Sequence, residues 1–182
     1  MTPAAPRKRK LFFALWPDEA TRQRLVDATR DISAGGVRMP AANLHMTLVF
    51  VGYVDETTQR CMEAAAQLID MPSFVIQLDR IDSFGQKILW AGSSKPPEAL
   101  FTLQAQLDTR LADACGYQPE ARRYRPHVTL ERKLKQPLQA ELDAPVIWKA
   151  DRFALVESVP SPQQRTPPRY EPLRFWSLSP HG

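Results

Sequence analysis

The sequence predicts an α+β protein built as two related lobes with mainly antiparallel sheets. Two observations carry this. Strand-like runs joined by short turns alternate with helix-like segments of ten or more residues, a pattern of hairpins and packed helices and not of one parallel sheet. A tetrapeptide of the form His-x-Thr-Leu also occurs in each half, as His45-Met46-Thr47-Leu48 and as His127-Val128-Thr129-Leu130, each time on a strand that follows a helix-like segment. The chain has 3 histidines, and average composition puts x-Thr-Leu after a given histidine roughly once in two hundred times, so chance does not explain the pair. A length of 182 residues suits one bilobal domain over residues 1–182, with residues 1–9 as a basic tail.

The elements follow in order. Leu11–Trp16 is an apolar run that reads as a buried strand, and Pro17-Asp18-Glu19 opens a helix with proline and acids in its first turn. Gly35-Gly36 closes that unit. A strand over Leu44–Val51 stops at Gly52, and a helix runs from about Asp55, its cap, to Ile69, with Pro72 just beyond. Two strands follow at Phe74–Ile81 and Lys87–Ala91 around a turn at Ser83–Gln86. In the second half a helix from about Pro97 to Ala114 ends at Gly116, a strand carries PHVTLER, and further strands lie at Phe153–Glu157 and Tyr170–Leu178. Between those two, VPSPQQRTPPR is a Pro-rich surface loop.

Composition narrows the function. A 43% hydrophobic and 24% charged chain is an ordinary globular one, and no apolar stretch approaches the length of a membrane span. The apolar run after the basic N-terminal block is too short for a secretory signal and meets Pro17-Asp18-Glu19 instead of a cleavage site. Cys61 and Cys115 lack C-x-x-C spacing and lie in separate helix-like segments, which reads as buried thiols in a reducing cytoplasm, a single bridge between them being the alternative. The expected protein is a cytoplasmic monomer with no membrane association.

The net charge is +4, but its basic residues are clustered. Arg7 to Lys10 form one block, read as a solvated tail. Arg122, Arg123 and Arg125, then Arg132, Lys133 and Lys135, bracket His127, as a polyanionic substrate requires.

Alternation along a strand gives the tetrapeptides a chemical meaning. His45 and Thr47 share one face while Met46 and Leu48 take the other, and His127 and Thr129 sit likewise over Val128 and Leu130. Side by side, the two strands would line a single cleft with two imidazoles and two hydroxyls. Such a set suits phosphodiester chemistry: a neutral imidazole removes a proton from the nucleophile, a protonated one donates to the leaving oxygen, and the hydroxyls bind non-bridging phosphate oxygens. A single His-x-Thr would more often be a structural pair; two copies in equivalent contexts favour catalysis. No H-E-x-x-H, His-x-His or Cys/His cluster marks a zinc site, and neither a P-loop nor G-x-S-x-G is present. His181, beside Gly182, reads as a solvated residue without a role.

The paired motifs, with RKLFFALWP, NLHMTLVFVG, ILWAG, YRPHVTLER and FALVES…RYEPLRFWSL, resemble the two-histidine phosphoesterase superfamily. Within it they resemble the RNA 2′,3′-cyclic phosphodiesterases, also called 2′–5′ RNA ligases. The resemblance implies two pseudo-symmetric α+β lobes around a central groove, and hydrolysis of a 2′,3′-cyclic phosphate at an RNA 3′ end to a 2′-phosphate without metal or nucleotide cofactor. Joining of tRNA fragments through a 2′–5′ linkage is the reverse reaction. Carried onto this chain, it makes His45 the proton donor to the leaving 3′ oxygen, His127 the base that activates water, and Thr47 and Thr129 the phosphate ligands.

Arg132 matches the basic residue that ends the second motif in that family, although strict alternation points it away from His127 and turns Glu131 toward the groove, to repel phosphate or to pair with an arginine. Tyr124 and Arg125 are expected to touch substrate, whereas Phe50, on the Leu48 face, is expected in the core together with Trp90. Two other readings stay open from sequence: a phosphodiesterase for a small cyclic or 2′–5′-linked nucleotide, and a non-catalytic RNA-binding module.

Overall fold

A computed structural model describes residues 7–163 and 166–180; His181 and two residues of the Pro-rich loop lie outside them. Nine strands and three helices follow in the order β1 (Arg9–Leu15), α1 (Glu19–Ala28), β2 (Val37–Arg38), β3 (Met46–Val54), α2 (Glu56–Ala66), β4 (Phe74–Phe84), β5 (Ile88–Gly92), α3 (Glu98–Cys115), β6 (Val128–Arg132), β7 (Ala140–Ala150), β8 (Arg152–Val159) and β9 (Arg169–Ser177). The basic block therefore contributes Arg9 and Lys10 to β1, and Arg7 and Arg9 both pair with Glu157 of β8.

The expected cap at Asp55 forms, and Asp18, expected inside the first turn of its helix, is a cap as well. Asp18 and Asp55 accept hydrogen bonds from the backbone N–H of Thr21 and Thr58, at 2.6 and 2.8 Å, satisfying donors that the first helical turn leaves free. Those bonds hold both carboxyls below the usual range. Gly116, left-handed at φ 67°, ends α3.

The strands make one sheet in the order β7-β4-β5-β6-β3-β1-β8-β9, with β2 added beside β6, and every pairing between named strands is antiparallel. Read outward from the centre, β6-β5-β4-β7 and β3-β1-β8-β9 are matching sets of four. They meet at one register pair, Met46 opposite Val128. The two sets do not correspond to the two halves of the sequence: the set holding the first motif takes its outer strands, β8 and β9, from the far end of the chain.

One face of the sheet carries the helices and the main core. Leu11, Phe13 and Leu15 point into it, as do Leu100, Leu103, Leu107 and Leu111 along one stripe of α3. Each fully buried leucine contributes about 2 kcal/mol of transfer free energy. The alternate residues of β1, Phe12 and Ala14, with Trp16 after it, pack with Ala154 and Val156 on the opposite face, which is the face of the two motifs.

Two expectations change. Cys61 and Cys115 are not buried thiols: α2 and α3 pack side by side, bring the two Cα atoms within 5.8 Å and allow a half-buried disulfide. Strand β7 was not expected, because Pro145 and two acids, Glu141 and Asp143, interrupt it. It lies at the sheet edge, and Pro145 falls in the register shift where β4 passes from Val146 to Glu141, a position that needs no ladder donor.

Candidate active site

Each histidine sits just ahead of its strand, held by the chain two residues before it. The Nδ1 of His45 is 2.6 Å from the Asn43 carbonyl and that of His127 is 2.7 Å from the Arg125 carbonyl. A carbonyl only accepts, so Nδ1 carries the proton in both rings and Nε2 is the atom left for chemistry. For His45 the carbonyl belongs to a 3-10 turn over Ala41–Asn43. The Asn43 side chain fixes that turn: its Nδ2 donates to the Pro168 carbonyl at 2.7 Å and its Oδ1 accepts from the Tyr170 N–H at 3.2 Å.

The central register pair brings the motifs together. In antiparallel pairing with Met46 opposite Val128, the neighbouring positions oppose His45 to Thr129 and Thr47 to His127. Each histidine therefore lies across from the other motif's threonine, all four on one face. The Nε2 of His45 also accepts a hydrogen bond from its own Thr47 hydroxyl, at 3.0 Å.

Alternation then breaks at the same place in both motifs. Along β3, Phe13 pairs with Val49 but Ala14 with Thr47, leaving Leu48 as an extra residue; along β6, Leu89 pairs with Glu131 but Trp90 with Thr129, leaving Leu130 extra. A bulge of this kind makes two successive residues face one side and reverses everything after them. Leu48 and Val49 are both buried, as are Leu130 and Glu131. Phe50 is consequently turned out, 44% exposed, and lines the groove instead of the core.

The same reversal settles Glu131 and Arg132. Glu131 is turned away from the groove and buried, its Oε2 accepting from the backbone N–H of Ala34 and Gly36 at 3.0 and 3.2 Å and its Oε1 3.6 Å from Arg38. Gly36 has to be glycine there, because a Cβ would stand 2.6 Å from the Arg132 carbonyl. Arg132 is turned to the groove side, near enough for its charge to act on both histidines.

Burial does more than that charge. Phe12, Trp16 and Tyr170 surround the His45 ring at centroid distances of 4.9, 5.8 and 5.0 Å, and the desolvation pulls its pKa down to about 4, with His127 and Arg132 adding repulsion. His127, edge-on to Phe84 at 5.1 Å, is also lowered, first by burial and then by Arg132 and Arg125. In the free protein near neutral pH both imidazoles are uncharged. A phosphate between them would supply the negative charge that returns a proton to one.

A cavity of about 780 Å³ opens beside the pair. Its walls include Thr47, Phe50, Phe84 and His127, and the segment between α3 and β6 that holds Tyr124 and Arg125. Among the described residues no group of three or more His, Cys, Asp or Glu side chains is placed to hold a metal ion, and no helix is long and apolar enough to cross a membrane.

The family model described as the 2′-5′ RNA ligase superfamily matches residues 16–160. The chain belongs to that superfamily. Its relatives include the RNA 2′,3′-cyclic phosphodiesterase of Escherichia coli (strain K12), 28% identical over 177 residues that span 94% of this chain and 97% of the relative. The protein of the same name from Bacillus subtilis (strain 168) is 30% identical over 146 residues, covering 74% and 76%. Among solved structures, E. coli LigT complexed with 3′-AMP superposes with a TM-score of 0.85 at 26% identity, over 94% of this chain and 99% of that one. TT0787 of Thermus thermophilus gives 0.76 at 25%, over 95% and 100%.

Within this 2′-5′ RNA ligase superfamily chain, the residues singled out from sequence converge on one face: His45, Thr47, His127 and Thr129 at the centre, Arg132 on the groove side, Tyr124 and Arg125 in the groove wall. Tyr124 spends its hydroxyl on the Thr47 carbonyl, at 2.9 Å, which makes it a positioning residue. Sequence reasoning missed Asn43 and the aromatic setting of His45. Asn43 stands two residues before a candidate histidine and is a residue type suited to tight turns, so it carried a readable signal; Phe12 and Tyr170, at opposite ends of the chain, carried none.

Proposed function

We propose that the protein hydrolyses the 2′,3′-cyclic phosphate at RNA 3′ ends to a 2′-phosphate, without metal or nucleotide cofactor. The observation that carries this reading is the pair of imidazoles pinned at Nδ1, each opposed to the other motif's threonine on one face of the sheet, with His127 and Thr47 lining the groove. The names of the E. coli and B. subtilis relatives support the substrate class.

In this reading His127 Nε2 takes a proton from water as the water oxygen bonds to phosphorus. The bond from phosphorus to the 3′ oxygen breaks, and His45 Nε2 gives its proton to that oxygen, leaving a 3′-hydroxyl and a 2′-phosphate. Thr47 and Thr129 donate to the non-bridging oxygens, and Arg132 balances the charge they gather. The bond between His45 Nε2 and Thr47 adds a coupling. When Nε2 is neutral the threonine must donate to it; once Nε2 is protonated it becomes the donor, and the Thr47 hydrogen is released toward phosphate. Loading the acid thus frees a phosphate ligand.

With a 5′-hydroxyl in place of water the same steps would make a 2′–5′ linkage, tRNA halves being one such substrate. The proposed setting is a monomer in the cytoplasm, where RNA ends arise and where thiol reductants reach Cys61–Cys115.

The test is incubation, with a chelator present, of a short RNA ending in a 2′,3′-cyclic phosphate, beside His45→Ala and His127→Ala. A 2′-phosphate formed only by the unaltered protein is the expected result. An intact substrate from pH 5 to 9 rejects the reaction, and turnover of small cyclic nucleotides alone would reassign the substrate.

A further inference from the structure

The catalytic pair is closed on one side and open on the other. His45 is walled by Phe12, Trp16 and Tyr170, and two of these, Phe12 and Trp16, are buried core residues. His127 opens onto the groove of about 780 Å³. A polynucleotide attached to the reacting phosphate must leave the pair on that side.

The groove is also furnished for a strand. Lys87, Arg122, Arg123 and Arg125 line it, all exposed, and none has a carboxylate among the described residues within ion-pair distance. Elsewhere Arg22, Arg30, Arg60 and Arg80 are each neutralised by a neighbouring acid. Unpaired cations collected in one cleft are a standing site for polyanion. The exposed face of Phe50, and Phe84 beneath the Arg125 guanidinium at 5.0 Å, supply apolar surface between the charges, the mixture that single strands bind. Two acids, Asp108 and Glu120, also line the groove, against the four cations.

We propose that this groove seats the RNA strand itself, with Lys87, Arg122 and Arg123 holding a backbone phosphate beyond the reacting nucleotide, so that an oligonucleotide end is preferred to a nucleoside 2′,3′-cyclic phosphate. The inference rests on the hydrolysis proposed above and adds which side the strand takes and which residues select for it.

The experiment compares kcat/KM for a five-nucleotide RNA ending in a 2′,3′-cyclic phosphate with that for the nucleoside 2′,3′-cyclic phosphate of the same base. The unaltered protein is expected to favour the RNA by about thirtyfold at low salt, and the Arg122→Gln/Arg123→Gln double variant by about threefold, with a log–log salt slope smaller by about one, as loss of one or two phosphate contacts on a single strand requires. Arg60→Gln, which removes a charge on α2, keeps the full preference. A ratio near one in the unaltered protein, an unchanged ratio in the double variant, or an equal fall in Arg60→Gln overturns the proposal. If neither compound is hydrolysed, the reaction is rejected, and the strand seat is decided separately by fluorescence anisotropy with the same RNA ending in a 3′-hydroxyl: about tenfold weaker binding by the double variant upholds it, equal binding sinks it.

Discussion

The Tyr124 hydroxyl donates to the Thr47 carbonyl, so the segment leading into the second motif grips the strand of the first. The two strands share only one register pair, and this bond is a second tie across their junction. Tyr124→Phe keeps the ring against Phe101 but removes the hydroxyl that binds the Thr47 carbonyl. Urea denaturation is expected to show a loss of about 1–2 kcal/mol, and kcat to fall about tenfold because the two motifs lose relative position.

In the proposed reaction both histidines act through Nε2, so replacing either with alanine would remove one proton transfer. A loss of about 10²- to 10⁴-fold in kcat is expected for each, measured on the cyclic-phosphate RNA. The double variant should be little worse than the single ones, because acid and base act as a unit; fully multiplicative losses would count against that.

Burial lowers both imidazole pKa values in the free protein. The profile of kcat/KM reports free-enzyme groups and needs one imidazole charged, so its optimum is expected below pH 6.5. In the complex the phosphate charge raises the acid's pKa, and the kcat optimum moves to higher pH. A kcat/KM optimum above pH 7 would contradict this assignment.

The same shift has a consequence for stability. A histidine whose folded pKa is depressed, here His45 to about 4, costs nothing above its unfolded value near 6.5, and stability is lost as pH falls from there toward 4, because the unfolded chain binds the proton more readily. At pH 4.5 the loss from His45 is about 2–3 kcal/mol. Asp18, Asp55 and Asp82 also weaken the fold in acid, so the measurement is a difference: His45→Asn should lose less stability between pH 7.5 and 4.5 than the unaltered protein does.

The disulfide joins residues 54 apart in sequence. Closing a loop of that length removes unfolded-state entropy worth about 4 kcal/mol at most. Unfolding in urea with and without dithiothreitol should show a drop of that order, and Cys61→Ser/Cys115→Ser should no longer respond to the reductant.

What the sequence revealed and concealed divides along one physical line. The Asp55 cap, the Gly116 terminus and the two His-x-Thr faces are local matters of side-chain chemistry and period, and they were legible. Phe50, Glu131 and Arg132 were misplaced or undecided because a bulge depends on what the neighbouring strand does, not on the strand's own residues. Strand β7 hid behind Pro145, acceptable only because the strand lies at an edge. The bridge between Cys61 and Cys115 followed from helix packing, which spacing does not express.

The half of the sheet that holds His45 is assembled from both ends of the described chain, with Phe12 on β1 and Tyr170 on β9 closing over one imidazole. During synthesis a nascent chain that has already released both His-x-Thr motifs from the ribosome still lacks β8, β9 and the Pro168 and Tyr170 backbone that Asn43 grips. Segments fold as they emerge, yet here the first motif waits for β9. The setting of His45 closes only once β9 has been made.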